Sequence, residues 1–148
     1  MKSKILFSLA LLLAVSTFAL AQKKSDNVFQ TGAGAIKGYD PVAYFTDSKP
    51  VKGNTAFKTN WKGATWYFAS AEHLATFKAN PTKYAPQYGG YCAYGMSEDH
   101  KAPVEPEAWS IVNGKLYLNY NLDVQKEWKK KDADLIIKAD ANWAKIKK

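Results

Sequence analysis

The sequence predicts a small α+β domain of β-hairpins and packed helices, and three observations carry that prediction. Two pairs of apolar, aromatic-rich runs are each split by a turn dipeptide, Lys62-Gly63 and Asn113-Gly114. Apolar residues recur at helical spacing after Ser70 and again from Val124 to the C-terminal end. The strands and helices interleave irregularly, without the repeated βαβ unit that builds a parallel sheet.

The chain opens with a basic segment, Met1-Lys2-Ser3-Lys4, followed by an apolar run over residues 5–15 and by Ala19-Leu20-Ala21. This is the pattern of a secretory signal peptide over 1–21, cleaved after Ala21. The apolar run is shorter than the roughly 20 residues that a spanning helix needs. No cysteine stands at the new N-terminus to take a lipid, so the expected product is periplasmic or secreted, without a stable membrane anchor. Residues 22–35 are polar and carry Gly32 and Gly34, and they read as a flexible leader. The domain proper is expected over 36–148, the size of one ordinary core.

Gly38-Tyr39-Asp40-Pro41 is turn chemistry, with Asp40 as the turn cap, and 42–45 has strand-like character. A hairpin over 56–61 and 64–68 follows. Ser70 reads as the N-cap of a helix through Ala71, Leu74 and Phe77, which ends where Pro81 disfavours helical geometry at Asn80. The stretch from Pro86 to Pro106 has no clear period apart from a helical turn around Cys92. A second hairpin joins 109–112 to 115–120 through Asn113-Gly114, a dipeptide suited to the positive φ values of a type I′ turn. Val124 and Trp128 then share a helical face, continued by Ile136, Ala139, Trp143 and Ile146.

The formal charge of +8 falls by two when Lys2 and Lys4 leave with the signal. The remaining basic runs, 129–131 and 145–148, sit beside helical patterns where solvated lysines suit helix ends. No nucleic-acid motif accompanies them, so nucleic acid is not an expected partner. Five Trp, nine Tyr and seven Phe supply core area for a domain that has no disulfide, and some of these rings could instead line a pocket. Glu105 and Glu107 read as solvated charges, and neither a phosphate-binding glycine loop nor a serine nucleophile elbow is present.

Cys92 is the only cysteine. It lies in Tyr88-Gly89-Gly90-Tyr91-Cys92-Ala93-Tyr94, among phenols that can donate hydrogen bonds. An exported chain with one thiol has no internal partner for it, which leaves burial, ligation or redox work.

Asp40-Pro41-Val42-Ala43-Tyr44, Trp66-Tyr67-Phe68-Ala69-Ser70, His73, Phe77 and Asn80-Pro81-Thr82-Lys83-Tyr84 resemble the YHS domain, a small module related to treble-clef metal-binding domains. The likeness is to exported, single-domain bacterial members that carry an extension seen here over 88–93 and 108–120. Many members hold a cysteine in the DPV element and two more around the start of the helix after the YYF strand. Here those positions are Ala43, Ala69 and His73, so a sulfur-rich zinc site or a haem role is not inherited. The resemblance also implies that selenocysteine can stand in the place of Cys92, which favours redox or ligand chemistry there.

Three readings of function follow. In the first, a soft metal ion, copper-like or another transition metal, binds at Cys92 with His73, Met96 or His100. Cys92, Met96 and His100 recur every four residues and would share a helical face, and thiolate, thioether and imidazole together suit cuprous copper. Gly95 and Pro103 oppose a long helix there, and His73 has the rival role of packing beside Phe77. In the second, Cys92 is a redox or nucleophilic centre without metal, its thiolate favoured in the first turn of a helix capped by Gly90. In the third, the protein is a non-catalytic envelope module with a buried Cys92. The expected partner is a metal ion or a small molecule.

Overall fold

The computed structural model describes residues 26–147 of the 148-residue chain. The signal peptide read over 1–21 therefore lies outside the described residues. Order begins before Ile36: β1 (Gln30–Thr31) and β2 (Gly34–Ala35) form a small antiparallel hairpin. Val28 and Ala35 are buried, and the Phe29 N–H donates to the Gly89 carbonyl over 2.9 Å. The glycines that suggested a loose leader have a structural use. A Cβ on Gly34, whose φ is +103°, would come within 2.6 Å of the Tyr67 ring, so only glycine lets this hairpin lie against the sheet behind it.

Residues 42–45, expected as a strand, instead enter a helical turn, α1 (Ala43–Thr46). The reason is local. The Asp40 carboxylate accepts the Val42 and Ala43 N–H groups at 2.8 and 3.3 Å, and Pro41 restricts φ ahead of them. β3 (Asn54–Trp61) and β4 (Ala64–Phe68) then form the expected hairpin, with an irregular register between Asn54 and Lys58. Alternate residues of β4 are buried, so Trp66 and Phe68 enter the core while Thr65 and Tyr67 stay half-buried.

Ser70 caps α2 (Ala71–Ala79) by accepting the His73 N–H at 3.1 Å. The helix brings Phe77 against Trp66 and Phe68, with ring centroids 5.4 and 5.1 Å away. A one-turn helix, α3 (Pro81–Tyr84), starts at the proline that ends α2, and a 3-10 turn (Gln87–Gly90) leads to α4 (Ala93–Ser97). β5 (Trp109–Val112) and β6 (Lys115–Leu118) pair in register across Asn113 and Gly114, whose φ values of +51° and +72° are those of the anticipated turn. The C-terminal helical pattern is two helices, α5 (Leu122–Lys129) and α6 (Asp132–Ile146).

Two apolar clusters result. One gathers Val42, Tyr44, Trp66, Phe68, Phe77, Cys92 and Leu116 around the first hairpin and α2; the other joins Tyr88, Met96, Tyr117, Trp128 and Leu135 where α4 packs on α6. The Tyr44 hydroxyl donates to the Pro106 carbonyl at 2.9 Å and ties α1 to the loop before β5. The class is α+β, with three two-stranded antiparallel sheets among helices in the described residues. Among the described residues, no helix is long and apolar enough to cross a membrane.

Candidate functional site

The positions at which metal-binding relatives carry cysteine meet around one carboxylate. Asp40 is fully buried. Its Oδ1 receives Val42 and Ala43, while Oδ2 accepts the Ala69 N–H at 2.8 Å and the His73 Nδ1–H at 2.6 Å. Ala43, Ala69 and His73 thus converge on Asp40, which satisfies α1, the end of β4 and α2 at once. His73 is the third residue of α2, where the sequence put it. With Nδ1 committed to Asp40, its Nε2 lies 3.3 Å from Thr46 Oγ1 and 4.0 Å from Asp47 Oδ1. The arrangement orients an imidazole as a metal site's outer carboxylate does.

Cys92 occupies different ground. It is itself the N-cap of α4, with Gly90 two residues earlier at φ +87°. The sulfur accepts the Gly95 N–H at 3.4 Å and donates to Asn119 Oδ1 at 3.6 Å, while the Cys92 N–H reaches the Ala102 carbonyl at 2.9 Å. Only 2% of the residue is exposed. Burial pushes the thiol above its ordinary pKa, and the N–H groups of Gly95, Tyr120 and Tyr94 offset this only in part.

Met96 is fully buried in the second apolar cluster. His100 is exposed, its N–H bound to the Gly95 carbonyl and its ring lying over Gly95, where a Cβ would be 3.3 Å from Nε2. α4 ends at Ser97, so the every-fourth-residue spacing does not continue as one helix to His100. His73 belongs to the Asp40 knot. Among the described residues, no group of three or more His, Cys, Asp or Glu side chains could hold a metal ion.

A third place, which sequence reasoning did not assemble, is a cleft of about 440 Å³ between the first hairpin, the loop before Cys92 and the end of α6. Trp66 and Tyr88 are buried at its lining, and the half-buried Trp61 and Trp143 also line it. Trp66 Nε1 donates to the Trp61 carbonyl at 3.0 Å, and the two indoles meet edge-on with centroids 5.7 Å apart. Tyr88 is fixed by its hydroxyl bond to Asp140 at 2.8 Å, and burial with this carboxylate raises its pKa. On Trp143, Tyr91 and the Lys101 ammonium pack at 6.5 and 5.9 Å from the ring centroid. The one signal in the sequence was the aromatic surplus; pairing residues 61 and 66 with 88 and 143 required the fold.

A small α+β domain whose hairpin and capped helix close over a buried carboxylate is the class defined by this architecture. Residues 42–88 match the family model of the YHS domain, and that stretch of the chain is a YHS domain. Cys92, Met96, His100 and Trp143 lie beyond the matched segment; Asp40 lies just before it, and Trp61, Trp66 and His73 fall within it. Neither the curated proteins nor the solved structures yield a match.

Proposed function

We propose that this chain is an exported, non-catalytic binding module that takes a small molecule in the cleft of Trp61, Trp66, Tyr88 and Trp143, with Cys92 serving the scaffold. The supporting observation is the cleft itself. Its 440 Å³ falls in the range of roughly 300–1,000 Å³ typical of small-molecule sites, and its rings are held by bonds and packing that need no ligand. The thiol, which caps α4 and is buried with a raised pKa, has the surroundings of a structural cysteine and not of a nucleophile.

The experiment is a titration of mature protein with the neutral bicyclic amide 2-naphthamide, followed by tryptophan fluorescence. A saturable change that is lost in Trp143→Ala and kept in Cys92→Ser supports the reading. Binding that disappears in Cys92→Ser while that variant stays folded would move the site to the thiol.

A metal-binding reading is carried by one observation, the His73 imidazole held by Asp40 with Nε2 near Thr46 and Asp47. A copper-like or other transition-metal ion would bind there by His73 and Asp47, with further ligands from water or a partner. The soft-metal set of Cys92 with Met96 and His100 would require α4 to open and the thiol to leave Asn119. Uptake of copper, zinc or nickel at equimolar metal, abolished by His73→Ala but not by Cys92→Ser, would favour the imidazole site over the thiol and over the cleft.

A further inference from the structure

Resting on the cleft reading above, we infer that its ligand is a planar aromatic molecule carrying an anionic group, with the ring held by the tryptophans and the anion by Lys62 and Lys147. The rings come first. Trp61, Trp66, Tyr88 and Trp143 give the lining four aromatic side chains, and flat conjugated ligands gain from stacked or edge-on contact with such surfaces beyond their area burial. The volume accommodates a bicyclic system with one substituent.

The charge of the ligand follows from the remaining lining. Lys62 and Lys147 are the charged residues among those that form the cleft, and no Asp or Glu lines it. Asp140 binds the Tyr88 hydroxyl and is not part of the lining. Lys62 follows Trp61 at the hairpin turn and holds its ammonium 4.6 Å from the centroid of the Trp61 ring. A ligand ring in contact with this indole would bring a carboxylate, sulfonate or phosphate substituent within reach of that ammonium. Lys147 caps the C-terminal end of α6, four residues after Trp143, and its backbone N–H binds the Trp143 carbonyl at 3.0 Å. Lys62 is thus tied to the aromatic lining by its side chain and Lys147 by its backbone, and both line the same cleft.

The geometry is supported from behind. Gly89 lies so close to Asn27 that a Cβ on it would fall 1.8 Å from the Asn27 carbonyl oxygen, and the adjoining Phe29 N–H bonds to Gly89. The segment Asn27-Val28 is therefore docked as a fixed border of the cleft, with Val28 buried.

The test compares 2-naphthoate with its neutral isostere 2-naphthamide on the mature protein at low ionic strength. The expected result is about fivefold tighter binding of the anion, the size that two partly exposed charge contacts supply. That preference should shrink in about 1 M salt, where the screening length is about 3 Å. It should vanish in Lys62→Gln/Lys147→Gln, two exposed positions outside the core, where 2-naphthoate and 2-naphthamide should bind with equal affinity. Equal affinity of the parent for the two probes would overturn the anion inference and leave the cleft reading intact. A preference that survives in the double variant would overturn the assignment to these lysines. Failure of both probes to bind would overturn the cleft reading and this inference with it.

Discussion

Two residues decide how the chemistry of this chain differs from what its motifs suggest. Asp40 is buried with four donors on one carboxylate, three of them backbone N–H groups from α1 and the end of β4. Replacing it by alanine orphans all four, and the expected loss is about 3 kcal/mol. His73→Ala removes one donor and leaves the backbone three, so about 1–2 kcal/mol is expected. Urea midpoints of the two variants give the comparison, and a larger loss for His73→Ala would contradict the ordering.

Cys92 gives the pH dependence. Its folded pKa is raised, so the fold holds the neutral thiol while the unfolded chain ionises at about 8.5. Between those two values the unfolded state carries fewer protons, and stability must fall as pH rises. Below about pH 8 that contribution is fully present. The buried Tyr44, Tyr88 and Tyr117 have the same sign but begin near 10, their ordinary value. Unfolding free energy measured from pH 7 to 10 should therefore decline from about pH 8.5 in the parent, and in Cys92→Ala the decline should start nearer pH 10. Identical curves would show that the thiol is not held neutral by the fold.

Among the elements, the hairpins and the long helices were readable because their signals are local. Lys62-Gly63 and Asn113-Gly114 mark the two turns, and the oxygen of Ser70 caps α2 where expected. Ser70→Ala should cost about 1 kcal/mol, checked by thermal unfolding. The misread segments have different causes, a side chain two residues away in one and a distant docking partner in the other. Residues 42–45 have strand-forming side chains, yet the carboxylate of Asp40 draws their N–H groups into a turn. The 28–35 segment looked like a leader because Gly32 and Gly34 are permissive, while its order comes from docking on Gly89 and Tyr67. Gly89→Ala adds a Cβ against Asn27 at a φ of +63°, so it should cost about 1–3 kcal/mol and weaken 2-naphthamide binding by displacing that border. Destabilisation with unchanged affinity would separate this docking from the cleft.

For the whole molecule, the α+β class and the aromatic surplus were legible in the sequence, and its rarest residue marked the candidate site that spacing could offer. Cys92 stood out as a solitary thiol, and four-residue spacing linked it to Met96 and His100. The three-dimensional arrangement instead caps α4 with the sulfur, buries Met96 in the second core and leaves His100 on the surface. Trp61 and Trp66 belong to the YHS segment, whereas Trp143 comes from α6 far along the chain. No periodicity joins such distant residues, so the cleft between them could not be read from spacing.

The five tryptophans offer a direct test because the cleft divides them. Trp61, Trp66 and Trp143 line it, while Trp109 packs at Tyr44 and Trp128 lies fully buried against Tyr117. In an NMR titration of the nitrogen-15-labelled protein with 2-naphthamide, the indole N–H signals of Trp61, Trp66 and Trp143 should shift together and saturate while those of Trp109 and Trp128 stay in place. Silence of all five signals, or movement confined to Trp109 and Trp128, would contradict a ligand site in the cleft.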